Sequence, residues 1–186
     1  MPPKVRILKQ DVVDVAIEIV RKEGADALNA RTIAAALGCS TQPVFSNFAS
    51  MEELRKAVIA EAETLYEAYA KRETEKGEYP PYKANGMAYI RFAKEEKELF
   101  KLLYMRSRSA EEAASSTGLL DQMTDLVHQN TGLSGDHALF FHLKIWACVH
   151  GIATMFATGY LDLEWTLVSQ IITDTYQGLK KQNEKE

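Results

Sequence analysis

Thr41, Gln42, Ser46 and Asn47 place hydroxyl and amide groups, which both donate and accept hydrogen bonds, within seven residues. Gln is suited to a bidentate bond with an adenine edge, and Ser or Thr to several base edges. Chemistry of this kind is recognition, and it requires the side chains to project from one short helix that fits the major groove of DNA. The same stretch, "ALGCSTQPVFSNF" from Ala36 to Phe48, also contains a glycine, a cysteine and a proline. A helix must therefore stop, turn within about four residues and restart.

No comparable grouping elsewhere points to catalysis. The chain has no Walker A, G-x-S-x-G, GxGxxG, H-E-x-x-H or paired CxxC pattern. No Ser or Cys stands with a base in a legible arrangement, so no catalytic residue is assigned. His137 and His142 are five apart and do not share a helix face. Asp125 and His128 form one Asp-x-x-His, whereas a di-iron bundle needs two carboxylate–His elements and two further Glu. We therefore expect no metal and no cofactor.

The elements that must position the recognition residues read as helices, giving an all-α fold. Strict apolar–polar alternation does not persist, and no Asn-Gly or Asp-Gly hairpin turn separates apolar runs. A first helix is expected from Lys9 to Glu23, with Val12, Val13, Ala16, Ile17, Ile19 and Val20 as its apolar stripe and Gly24 at its end. Asn29 is placed to cap a short second helix that Gly38 ends. Ser40 or Thr41 caps a third, in which Pro43 is tolerated in the first turn and Val44, Phe45 and Phe48 form the buried side. Ser50 and Glu53 read as the capping box of a long fourth helix. "GEYPPY" at 77–82 breaks the chain; a helical pair bent near Lys97 follows. After a polar stretch from Ser107 to Thr117 come helices near 118–130 and 136–158, and a last one capped by Asp162. The expected division is a helix-turn-helix DNA-binding domain at 1–50 and a helical ligand-binding and dimerisation domain at 51–186.

Net charge is −4, which taken alone disfavours a nucleic-acid partner. Its distribution is uneven. Residues 1–48 hold six basic against five acidic side chains, while the rest hold 16 basic against 21 acidic. Lys4, Arg6 and Lys9 all precede the first acid, Asp11. "MPPKVRILKQ" lacks the apolar core of a secretory signal. The stretch 145–160 contains His150 and two glycines and is short for a membrane span. Cys39 and Cys148, far apart, fit reduced thiols. The expectation is a soluble cytoplasmic protein with no membrane partner.

From Val12 to Leu54 the chain resembles the N-terminal domain of TetR-family transcriptional regulators. Gly24, Ile33, Ala34, Gly38, Cys39, Ser40, Phe45, Phe48, Ser50, Glu53 and Leu54 occupy matching places. "YIRFAKEEKELFKLLYM" and "WACVHG" resemble segments of a C-terminal subfamily with a Trp-x-x-x-His-Gly signature. The resemblance implies a homodimeric DNA-binding protein, most often a repressor, whose C-terminal domain carries the dimer interface and an inducer pocket. On this reading Thr41, Gln42, Ser46 and Asn47 lie near bases of a double-stranded operator. Arg31, Thr32, Ser40, Lys4 and Arg6 position the backbone, and Pro43 makes an apolar contact. The chain departs from the family pattern at Phe45, where Tyr is frequent, and at Met51, where Lys is frequent; both losses remove phosphate contacts.

Aromatic and Met residues concentrate in the middle of the chain. A bundle lined in this way suits an apolar or aromatic small molecule, although aromatics at helical spacing also simply build cores. Tyr89, Tyr104, His128 and Trp146 combine bulk with a hydrogen-bonding group and are the candidate ligand contacts. Dimerisation is expected through the last two helices, with Phe140, Leu143, Ala147, Ile171, Ile172 and Leu179 as the apolar faces. The alternative is a helical ligand-binding or adaptor protein without DNA function.

Overall fold

The computed structural model describes residues 7–107 and 117–183. Among these every regular element is helical: α1 (Lys9–Glu23), α2 (Ala30–Ala36), α3 (Gln42–Asn47), α4 (Met51–Glu75), α5 (Pro81–Glu95), α6 (Lys97–Tyr104), α7 (Thr117–Thr131), α8 (Gly135–Thr158) and α9 (Trp165–Asn183). A single 3₁₀ turn, Ala25–Ala27, follows α1. The chain forms two compact units, one running to Glu67 and including Glu96–Arg106, the other made of Ala68–Glu95 and the chain from Ser107 onward. Helix α4 supplies residues to both. Most of the polar stretch after Ser107, like Lys4 and Arg6, lies outside the described residues.

In the first unit the α1 stripe is the core: Val12, Ala16 and Val20 are fully buried, with Ile33, Val44, Leu54, Val58, Leu99 and Phe100. Each such Val, Ile, Leu or Phe side chain contributes about 1.5–3 kcal/mol relative to exposure. Helix α1 packs on α6, α2 and α3. Arg21 holds Glu96 at the start of α6 through Nε and Nη2, each at 2.9 Å. Gly24 closes α1 at φ 83°, a backbone conformation that favours glycine. At the head of α4, Ser50 Oγ accepts from the Glu53 amide at 3.1 Å, and Glu53 returns a bond to the Ala49 amide at 2.7 Å.

In the second unit α8 packs chiefly on α5, then on α7 and α9. Ala84, Met87, Ile90 and Phe92 of α5 meet Phe141, Ala153 and Phe156 of α8 in the core, beside Val127 and Val168. Two tyrosines of α5 pair with two histidines of α8: Tyr82 Oη with His142 Nδ1 and Tyr89 Oη with His150 Nδ1, both at 3.0 Å. Burial lowers both histidine pKa values, which favours the neutral imidazole in each pair. Lys83 ties α5 to α9 by donating to Ser169 Oγ at 2.6 Å and Thr173 Oγ1 at 2.8 Å.

Two expectations about caps change. Asp162 does not cap α9: that helix begins at Trp165, the Val168 amide bonds Glu164 O, and Asp162 instead pairs with Lys94 of α5. Thr41 stands before α3 with helical backbone angles and makes no side-chain cap bond. Among the described residues α8 is, by length and composition, apolar enough to cross a membrane. Its nine buried residues face neighbouring helices, while Phe140, Leu143 and Trp146 lie exposed.

Candidate nucleic-acid interface

The turn between α2 and α3 is built from backbone hydrogen bonds. The Cys39 amide reaches back to Ala34 O at 2.9 Å and the Gly38 amide to Ala35 O at 3.2 Å, closing α2 in a Schellman motif. Gly38 takes φ 64° where a Cβ would meet nothing within 4 Å, so only the left-handed backbone demands glycine here. Upstream, Asn29 Oδ1 accepts from the Arg31 and Thr32 amides at 3.0 and 3.1 Å. The Thr32 hydroxyl lies within 2.8 Å of Ala27 O and accepts from the Asn29 amide, so the cap already engages it. Arg31 is exposed and forms no ion pair among the described residues.

Helix α3 buries Val44 completely and Phe48 almost so, which fixes its rotation. At about 100° per residue, Gln42 and Ser46 then point directly away from the core, with Pro43 on one flank and Phe45 on the other. Gln42, Ser40 and Ser46 are exposed, and Thr41 and Pro43 half-buried. Ser46 Oγ donates to Gln42 O at 2.9 Å, which leaves its oxygen free to accept. Asn47 turns inward: its amide donates to Pro43 O at 2.9 Å and Ile7 O at 3.3 Å. It thereby holds the end of the N-terminal segment beside α3. The expected burial of Phe45 is overturned, since 52% of its surface is exposed. Val44 and Phe48 fill the available core space, and a six-residue helix has no second apolar face to bury.

The candidate ligand contacts are divided between the two units. Tyr89 is buried on His150, and Trp146, 44% exposed, stacks on the same imidazole with ring centres 4.9 Å apart. His128 is exposed on α7, its Nδ1 donating to Leu133 O at 2.9 Å, and lines a cavity of about 430 Å³ with Asp121, Asp125 and Asp136. Tyr104 belongs to the first unit, 5.1 Å from Phe100 and 6.0 Å from Tyr66 between ring centres. Among the described residues no group of three His, Cys, Asp or Glu is placed to hold a metal ion.

A helix-turn-helix front followed by a helical domain defines a class of DNA-binding regulators, and comparison with known proteins agrees. Residues 82–172 match the family model "Tetracyclin repressor-like, C-terminal domain". A protein of unknown function from Rhodococcus sp. RHA1 has a similar structure, with TM-score 0.73, 24% identity and 97% of each chain covered. A TetR-like transcriptional regulator from Rhodococcus sp. RHA1 follows at TM-score 0.68 and 16% identity, covering 100% of this chain and 98% of its own. MexZ, a key repressor responsible for antibiotic resistance in Pseudomonas aeruginosa, aligns at TM-score 0.62 and 17% identity over 92% and 94% of the two chains. No curated protein matches. Residues 82–172 thus resemble a tetracyclin repressor-like C-terminal domain, and the chain as a whole has the fold of the TetR-like regulators it aligns with.

Proposed function

We propose that the protein is a cytoplasmic homodimeric repressor, released from a double-stranded DNA operator when a small molecule binds its helical domain. The supporting observation is the rotation of α3, which turns Gln42 and Ser46 outward from a turn closed by Gly38. Residues 1–50 form the DNA-binding domain, with Thr41, Gln42 and Ser46 at base edges. Arg31, Ser40, Lys4 and Arg6 lie along phosphates, and Asn47, whose amide also bonds Ile7 O, stands with the base readers. Thr32 serves by fixing the cap beside Arg31. Residues 51–186 supply the ligand site and the dimer contact. Phe140, Leu143 and Trp146 of α8 and Leu167 of α9 are 58, 40, 44 and 48% exposed, a strip suited to a second copy. Two recognition helices then sit about 34 Å apart or at a multiple of that spacing. Ligand releases DNA only by favouring a conformation that breaks this spacing. Tyr89 and His128 are the first positions to substitute in mapping it.

The test is a mobility-shift titration against the gene's own upstream DNA across a salt series. Specific, dimer-dependent binding is the expected result; absence of any preferred site would sink the proposal. Gln42→Ala should relax preference at one base position of each half-site by about 1–3 kcal/mol, read from binding-site selection. Arg31→Ala should weaken binding to every sequence alike and reduce the salt slope by about one per protomer.

A further inference from the structure

Phe45 is the one large apolar side chain of α3 that the fold leaves in water, and the helix supplies no reason for it. Val44 and Phe48 complete the buried side, and Phe45 lies about 80° from the outward line of Gln42 and Ser46, counting 100° per residue. A phenyl ring offers no hydrogen bond to phosphate, base nitrogen or base oxygen. The one apolar group that base pairs display in the major groove is the C5-methyl of thymine.

We propose that Phe45 reads sequence by packing its ring against a thymine methyl at one fixed position of each half-site. This rests on α3 being the recognition helix and adds a residue to its reading surface. The contact removes the exposed phenyl surface from water only when that thymine is present, so it selects thymine without donating a hydrogen bond. It also gives the interface a salt-independent component, since no counterion is released by an apolar contact.

The experiment first selects a preferred site from random duplex DNA with the full-length wild-type protein. Each thymine of the half-site is then replaced in turn by deoxyuridine, which removes the methyl and nothing else. Wild type should lose about fourfold per half-site at one thymine, the effect of exposing one buried methyl group. Phe45→Ala should bind the thymine site more weakly and be indifferent to deoxyuridine at that position, and Phe45→Leu should retain part of the penalty. Because Phe45 is half exposed, both variants are expected to fold; helical circular dichroism and melting temperature verify it. If Phe45→Ala keeps the full deoxyuridine penalty, or if no thymine shows one, the inference is wrong. In that outcome a shifted preference with Gln42→Ala leaves the recognition-helix reading standing. If wild type selects no site, both readings fall.

Discussion

Replacing Phe140 and Leu143 together by Glu is expected to leave the chain monomeric at micromolar concentration and to weaken operator binding at least a hundredfold. The two residues stand one helical turn apart on α8, 58% and 40% exposed, and Trp146 continues the same strip. In a two-fold dimer each substitution occurs twice, so four carboxylates would enter an apolar contact without partners. A monomer grips one half-site, and the advantage of linking two half-sites is on the order of 10²–10⁴. The neighbouring buried residues Phe141 and Ile145 are untouched, so helical circular dichroism should persist while sedimentation reports the lost dimer. A double variant that remains dimeric would place the interface elsewhere.

What was legible in the sequence follows from how local each signal is. Helix α1 has the bounds expected of it because its apolar spacing, the acid at Asp11 and the stop at Gly24 agree within one segment. The turn at Gly38 was legible for the same reason: a left-handed residue after a short alanine-rich helix leaves few conformations. The orientation of Phe45 was not. In a six-residue helix, three apolar positions fit one stripe on paper, and only the packing of Val44 and Phe48 decides which is left out. Asp162 looked like a cap because its partner, Lys94, is 68 residues away. The bond from Asn47 to Ile7 O was hidden for the same reason, since the two lie 40 residues apart. The four candidate ligand contacts were chosen by composition, which carries no information on which helix faces meet. The structure therefore spreads them over two units.

The same limit hid a buried charge on which the stability of the second unit depends. Glu73, in α4, is 0% exposed, and no sequence pattern marks its carboxylate as buried. Its Oε1 lies 2.7 Å from Arg91 Nε and 2.5 Å from Lys76 Nζ, while Oε2 has no hydrogen-bond partner among the described residues. The Arg91 guanidinium also covers the Trp165 ring at 4.5 Å. Arg91→Met is expected to cost about 3 kcal/mol, because a buried carboxylate then retains only the partly exposed Lys76. Arg91→Met combined with Glu73→Met should recover most of that loss, since an apolar pair strands no charge. Denaturant titration of the four chains, followed through Trp165 fluorescence, measures the cycle. A double variant as unstable as Arg91→Met alone would show that the loss lies in packing against Trp165 and not in the stranded charge. The pH dependence gives an independent check. Burial raises the Glu73 pKa, but the hydrogen bond from Lys76 and the charge of Arg91 outweigh it, and the net shift is downward from 4.5. A carboxylate with a depressed folded-state pKa stabilises the fold fully above its unfolded value and loses that contribution as pH falls through the folded one. The stability gap between wild type and Glu73→Gln should therefore be widest near pH 7 and close as pH drops below about 4.5. A gap that stays constant down to pH 3 would mean that the carboxylate charge contributes nothing to holding α4 on α5.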